Sequence, residues 1–472
     1  MVLRITQNIL LNNALRDITR NALSLNEYRE KLSTGKELNR PSDDPAAFLR
    51  ILPLRNDIES VKRYQQNAIL ARDILNTSSS GFQDAADIMA EARKLAVQGA
   101  NGTLSQSDRD TLASQVNQLL KQMVGIANSR LGDRYLFGGA KTSTQAFTLT
   151  DNENATFVKY NGDDQGVSLS VAPGVEVAVH TPGDKLFMKT NRSGLTFTGN
   201  TGVKGGTGAS SGRGQAFLEI SHTGFSNLPT GVSAGSTAST ALGNLSYTIT
   251  MGPPNTITVG GGTAVTFDAS SSDLEIKTSN GDSVYLDMSA YAGSSTSGTL
   301  TSNGRMTWDG GGTYTSIDFS STNLHVKNDT KGEILAVDAT GILRTGKEMV
   351  SFEGTYDAFN SLIALRDLLQ NKGGLTSGDQ AKQLTALIGE LDKVGELVLE
   401  SLRDLGARSA NLDTTKDRMG RLELSMDEAL SRDEDVDLSA VILKMTQRDT
   451  SYQASLAVGA RVISTSLLDF LR

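Results

Sequence analysis

Residues 437–472 carry an apolar repeat that constrains the fold more than any other feature of the chain. Alternating steps of four and three residues give a seam that no proline interrupts. Its positions include Leu438, Ile442, Met445, Tyr452, Leu456, Ile463 and Phe470, with Leu467 beside them. A helix with such a stripe needs another helix to cover it.

The opposite end of the chain has the same rhythm. Its apolar positions are Ile5, Ile9, Leu11, Leu15, Ile18, Leu25 and Leu32. Two heptad helices at the two termini predict a chain folded back on itself, with its ends paired as an antiparallel coiled coil. We expect these fifteen residues to form an interface for assembly with other helices.

A turn follows the first helix. Gly35 is a suitable helix stop, because glycine adopts the left-handed conformation cheaply. Arg40, Pro41 and Asp43 continue the turn, and Asp44 with Pro45 is typical of a helix start. Helical periodicity then predicts a helix from Pro45 to about Gln98 and another, capped by Ser105 or Ser107, to about Arg130.

The period changes from helical to alternating near Leu136 and returns to helical near Tyr356. More than half of the 47 glycines lie in residues 191–345, among short predicted strands such as Arg305–Trp308. Residues 199–214, rich in Gly, Ser and Thr, are predicted to form a loop or linker. The chain is therefore predicted to be α+β and multidomain, a helical stalk with one or two all-β domains inserted. Four domains are expected. Residues 1–44 with 436–472 form a terminal coiled coil, and 45–140 with 350–435 form a bundle of long helices. Residues 141–198, with part of 325–349 as an option, form a first β domain, and 199–349 form an inserted β domain rich in Gly, Ser and Thr.

Composition excludes several classes of protein. With a net charge of −8 and no basic block interleaved with aromatics, nucleic-acid binding is not expected. Zero cysteines exclude disulfides and thiolate sites. No apolar run is long enough to span a membrane, and the first residues lack the pattern of a cleaved signal peptide.

The sequence offers little for catalysis. The three histidines, His180, His222 and His325, are far apart along the chain. Gly-x-Ser-x-Gly occurs around Ser210 and Ser233, but without the strand-to-helix context of a nucleophile. We therefore predict no enzyme activity, no cofactor and no metal site.

Several segments resemble the flagellin family. Leu32-Ser-Thr-Gly-Lys36 through Arg40-Pro-Ser-Asp-Asp-Pro45 resembles its N-terminal signature, and Met89–Gln98 resembles the helix that follows. Arg134–Thr142 and Tyr452–Leu471 are similar to the hook-filament junction branch of that family. The resemblance covers about 1–190 and 345–472, whereas the part between looks like an enlarged insertion.

The resemblance implies a structural subunit of the bacterial flagellum, exported without a cleaved signal peptide. Its partners would be hook-associated protein 1 below, flagellin above, further copies of itself in a ring, and an export chaperone. Two alternatives stay open: a filament flagellin, and a flagellin-like frame whose β insert is an exposed binding module.

Overall fold

The computed structural model describes residues 7–151 and 156–470, without the side chains of residues 7, 8, 10, 11 and 462–470. The helices are α1 (Gln7–Thr34), α2 (Pro45–Gly99), α3 (Gln106–Ala127), α4 (Gly183–Phe187), α5 (Ala358–Leu369), α6 (Ser377–Glu434) and α7 (Leu438–Phe470). Their ends follow the capping residues of the sequence. Ser105 forms a capping box with Asp108 at the start of α3, and the Asp437 carboxylate accepts a hydrogen bond from the Ala440 backbone N–H at the start of α7.

The strands lie between α3 and α5. They are β1 (Arg130–Leu131), β2 (Arg134–Tyr135), β3 (Phe147–Asp151), β4 (Thr156–Tyr160), β5 (Val167–Ala172), β6 (Val175–His180), β7 (Gly194–Thr198), β8 (Lys204–Gly205), β9 (Gly214–Ser226), β10 (Ser233–Ala234), β11 (Gly243–Thr250), β12 (Thr256–Val259), β13 (Val265–Thr266), β14 (Leu274–Lys277), β15 (Ser283–Asp287), β16 (Thr296–Thr307), β17 (Thr315–Ser316), β18 (Leu324–Asn328), β19 (Glu333–Asp338) and β20 (Gly346–Glu353). The predicted fold class, helical ends around an antiparallel β middle, is confirmed.

Contacts group the chain into two compact units. The first unit holds the residues up to Ala71, Leu169–Val177 and Asn411 onward, and the second holds Arg72–Ser168 and Ala178–Ala410. Helices α2 and α6 contribute residues to both. The four-domain division of the sequence stays a prediction. However, β7 pairs with β20, so one sheet contains residues from both sides of the predicted domain boundary at residue 198.

In the first unit, α1 and α7 pack side by side. Asn21 contacts Ser455, and Lys36 pairs with Asp435 in a short antiparallel bridge. Partner numbers fall along α7 as they rise along α1, so the two helices run in opposite directions. The expected antiparallel pairing of the chain ends is therefore present.

In the second unit, an aromatic cluster fills the core beside the first strands. Phe82, Phe137 and Phe187 contact one another with ring centroids 4.7–5.7 Å apart. Phe147 and Phe359 extend the cluster from β3 and α5. Rings in offset or edge-to-face geometry stabilise a core beyond the area that they bury. The cluster fixes α2, α5 and the strand β3 to one another.

The β insert contains two copies of one module. In the inner copy (233–302), β11 pairs with β16 from Gly243↔Ser302 to Ile249↔Thr296. In the outer copy (204–226 with 304–353), β9 pairs with β20 from Gly214↔Phe352 to Ile220↔Gly346. The small three-stranded sheets β10-β15-β14 and β8-β19-β18 also correspond. The inner copy is thus inserted within the outer one.

The sequences of the two copies agree with this topology. Gly260-Gly-Gly-Thr263 corresponds to Gly310-Gly-Gly-Thr313, fifty positions later. Asp268 accepts hydrogen bonds from the backbone N–H and hydroxyl of Ser270 at 2.9 and 2.6 Å, and Asp318 accepts the same pair from Ser320 at the same distances. Each copy has its own apolar core, and Leu242 of the inner segment packs into the core of the outer copy.

Several strand predictions need correction. Residues 199–214 were predicted as a loop, but β8 and the first residue of β9 lie there. The predicted strand Arg305–Trp308 is only the end of the long β16, whose two halves serve the two copies. Strands β7, β19 and β20 were not predicted. The sequences of β19 and β20 alternate weakly, and pairing with distant strands determines them. Leu195-Thr-Phe-Thr198 of β7, by contrast, alternates clearly and could have been predicted.

Candidate assembly surface

Five of the predicted interface residues face the seam between α1 and α7. Leu25 is 5% exposed, and Ile18, Leu32, Met445 and Tyr452 are half-buried. These are the apolar side chains that the helix pair covers within one chain. Their role in assembly with other helices stays a prediction.

The seam also contains residues that are not among the fifteen predicted interface residues. The Asn21 side-chain amide donates to the Ser455 hydroxyl at 2.9 Å, and Val441 is buried. Gly459 allows close approach, since a Cβ there would lie 3.1 Å from Ile18 Cδ1. A small residue at a heptad position is the signal that could have marked this close contact.

Five other predicted interface residues remain exposed. They are Ile9, Leu15, Leu438, Ile442 and Leu456. On an ideal helix, the three from α7 lie within about 40° of one another, rotated by roughly 60° from the edge that contacts α1. Leu456, for example, is 43% exposed. The apolar stripe on α7 is therefore wider than its partner within the chain can cover.

The helices of the first unit carry more exposed apolar residues. Those not among the predicted interface residues are Leu23, Leu49, Leu52, Ile69, Leu70, Leu424, Leu443 and Val458. Isolated exposed apolar residues are ordinary, but many on the helices of one unit indicate a contact surface. The predicted Ile5 lies outside the described residues, as do the side chains of Leu11, Ile463, Leu467 and Phe470.

The turn between α1 and α2 is fixed by its own carboxylates. Gly35 adopts a φ of +71°, in the left-handed region. Asp43 accepts backbone hydrogen bonds from Asn39 and Arg40 at 3.0 and 2.8 Å. These bonds, the Arg40 one first, lower the pKa of Asp43. Asp44 caps α2 by accepting from the N–H groups of residues 46 and 47.

A buried carboxylate joins this turn to the end of α6. Glu434 is 2% exposed and pairs with Arg55 and Lys36. The backbone of Glu434 also accepts from the Glu37 N–H at 2.8 Å. Burial alone would raise the pKa of Glu434, but the hydrogen bonds from Arg55 and Lys36 hold it below its ordinary value. The arrangement orients the entry into α7 and thus the exposed stripe.

Two of the residues considered for catalysis, His180 and Ser210, have structural partners. His180 is buried, with Nδ1 3.1 Å from the Leu136 carbonyl oxygen, and burial lowers its pKa. The Ser210 hydroxyl accepts a hydrogen bond from the Ala336 N–H at 3.0 Å and so connects β19 to the loop between β8 and β9. Within residues 7–151 and 156–470, no cluster of three or more potential metal ligands occurs. No described helix is long and apolar enough to cross a membrane.

Comparison with known proteins supports the resemblance seen in the sequence. Residues 5–142 match the model of the bacterial flagellin N-terminal helical region. Flagellar hook-associated protein 3 of Escherichia coli (strain K12) is 28% identical over 186 residues, 39% of this chain and 57% of that protein. A flagellin of Clostridium tyrobutyricum is 27% identical over 212 residues, 44% of this chain and 52% of that flagellin. The chain thus spans little more than half the length of these relatives.

Among solved structures, flagellar hook associated protein-3 from Legionella pneumophila is 18% identical and aligns with a TM-score of 0.45. The alignment covers 81% of this chain and 98% of that one. With the family-model match to residues 5–142 and the two relatives, the predicted resemblance to the flagellin family, and within it to flagellar hook-associated protein 3, is confirmed.

Proposed function

We propose that this chain is a structural subunit of the bacterial flagellum that joins the hook to the flagellin filament. The observation that carries the proposal is the exposed apolar stripe of Leu438, Ile442 and Leu456 beside a helix seam that is already filled. Burial of a leucine or isoleucine side chain contributes about 1.5–3 kcal/mol relative to exposure. Neighbouring helices of the assembly would supply that burial.

The proposed partners follow from the resemblance. Hook-associated protein 1 would lie below the subunit and flagellin above it, with further copies of this chain beside it in a ring. An export chaperone would cover the apolar stripe before assembly. The subunit would reach the cell exterior through the flagellar export channel, and no catalytic role is proposed for it.

A filament flagellin is the alternative within the same structural class. The two readings differ in where the protein sits along the flagellum. Immunogold labelling of whole flagella with an antibody to residues 199–349 tests them directly. We expect gold particles in a short zone at the hook end, whereas labelling along the whole filament would favour the flagellin alternative. Absence of label from the flagellum would contradict both.

A charge within the stripe tests the assembly mechanism. Leu456→Asp should block filament growth, because the carboxylate would enter a surface that becomes dry on assembly. Since Leu456 is exposed in the single chain, the purified variant should keep the circular dichroism spectrum and unfolding midpoint of the parent. Leu399→Asp, an exposed leucine outside the first unit, is the matched control. Normal swimming of the Leu456→Asp strain would contradict the proposal.

A further inference from the structure

A cleft lies between the outer copy of the β module and α5. The cleft has a volume of about 300 Å³ and is lined by residues of β4, β9, β16, β18 and β20, of the turns that follow β16 and β18, and of the segment at and after α5. That volume lies at the lower end of the range for small-molecule sites. All of these residues belong to the second unit.

Two buried nitrogen donors of the cleft lining have no partner. The indole N–H of Trp308 and the side-chain amide nitrogen of Gln215 form no hydrogen bond with any residue that the structure describes. Trp308 is 95% buried, being 5% exposed. A buried donor left unpaired costs about 1–3 kcal/mol. A ligand that accepts hydrogen bonds from both donors would remove this cost.

The charges of the cleft favour a negatively charged guest. Three lysines line it, and two of them face the two acidic residues of the lining. Lys372 is 2.8 Å from Asp367, and Lys347 is 3.9 Å from Glu219. For Lys331 the described residues include no carboxylate within salt-bridge distance. One ammonium group and two N–H donors are thus available for a ligand that accepts hydrogen bonds.

Comparison of the two copies shows that Trp308 and its neighbour Asp309 are particular to the outer one. Trp308 and Asp309 correspond to Thr258 and Val259 of the inner copy, fifty positions earlier. Val259 is part of an apolar core, whereas Asp309 is a buried carboxylate whose Oδ2 has no hydrogen-bond partner among the described residues. The inner copy therefore forms the same arrangement of strands with threonine and valine at these two positions. Neither the tryptophan nor the buried aspartate is required by the architecture.

We propose that this cleft binds the carboxylate of an acidic sugar. The carboxylate would accept from Lys331 and from the Trp308 and Gln215 donors, because charge-assisted hydrogen bonds are the strongest of their kind. The half-buried ring of Phe217 lines the same cleft and offers apolar surface to the C–H face of a pyranose. A simple inorganic anion would leave that surface and most of the volume unused.

The single tryptophan of the chain reports directly on the cleft. The full chain is titrated with D-galacturonic acid and with N-acetylneuraminic acid at fixed ionic strength, and the emission of Trp308 is recorded. We expect a saturable change in emission with at least one of these acids and none with D-galactose. Calorimetry of the same titrations detects binding that leaves the emission unchanged.

Matched variants separate the cleft from the rest of the surface. Lys331→Gln should raise Kd about tenfold, the loss of one charge-assisted hydrogen bond. Lys277→Gln, an exposed lysine of the inner copy, should leave Kd unchanged. No saturable heat or emission change with either acid would overturn the proposal. Equal affinity for acetate or sulfate would overturn it as well, since the site would then be one for simple anions.

Discussion

Arg55 and Glu434 are joined by two hydrogen bonds, 3.2 Å from Nε to Oε2 and 2.5 Å from Nη2 to Oε1, although 379 positions separate them in the chain. They hold the first turns of α2 against the last turn of α6. Lys36, next to the glycine that ends α1, pairs with the same carboxylate. This one buried side chain therefore links three helix ends at the point where α7 begins.

Removal of the Glu434 charge should destabilise the first unit. Glu434→Gln keeps the size of the side chain but leaves Arg55 and Lys36 without their anion. Because both partners are more than a third exposed and water can solvate them, we expect a loss of about 2 kcal/mol rather than the full cost of breaking a buried pair. Urea unfolding followed by circular dichroism measures it. Glu428→Gln, an exposed position on the same helix, should change the free energy of unfolding by less than about 0.5 kcal/mol.

The contribution of Glu434 should depend on pH in one direction. Its partners hold its folded-state pKa below the ordinary value of 4.5. The unfolded chain therefore binds the proton first as the pH falls. The difference in unfolding free energy between the parent and Glu434→Gln should be constant at neutral pH and shrink below pH 4.5. A difference that grows on acidification would show that the pair does not stabilise the charged form.

Two leucines of α1, two positions apart, provide a matched test of the seam. Leu25 is buried against α7, whereas Leu23 is mostly exposed. Leu25→Ala should destabilise the first unit by about 2–4 kcal/mol, since it removes buried methyl groups and leaves a cavity. Leu23→Ala should have little effect on the free energy of unfolding. Equal effects of the two substitutions in urea unfolding would mean that α1 packs with another face.

The nested arrangement of the two β modules predicts that the inner one can be removed. Ser226 of β9 lies directly opposite Thr301 of β16. Replacement of residues 227–300 by Asn-Gly would thus close a two-residue hairpin. We expect the outer copy to fold, with Trp308 still buried and its emission still blue-shifted in the native state. Emission of a solvent-exposed tryptophan would show that the outer copy depends on the inner one.

Helix ends in this protein follow from local chemistry and could be predicted. Gly35, Pro45, Ser105 and Asp437 each set a boundary within a residue or two of the expected position, because capping depends on groups that are adjacent in the chain. Antiparallel pairing of α1 with α7 also followed from the sequence. Apolar stripes of the same period at both ends leave few other ways to cover them.

Other parts depended on contacts between distant residues. Periodicity cannot choose between two edges of one helix about 60° apart. Asn21, Val441 and Gly459 decide which edge of α7 faces α1. The module duplication was visible in the repeated Gly-Gly-Gly-Thr turns at Gly260 and Gly310, but only the matching strand registers give those repeats a structural meaning.

Accessibility of the α7 stripe before and after assembly tests the central claim most directly. Because the chain contains no cysteine, Leu456→Cys introduces a unique thiol, and Ala292→Cys places a control thiol at an exposed position of the β insert. Each variant is treated with a maleimide as purified protein and as isolated flagella. We predict that Cys at position 456 reacts rapidly in the purified chain and is protected in flagella, while Cys at position 292 reacts in both. Equal reactivity of position 456 in the two samples would contradict the account.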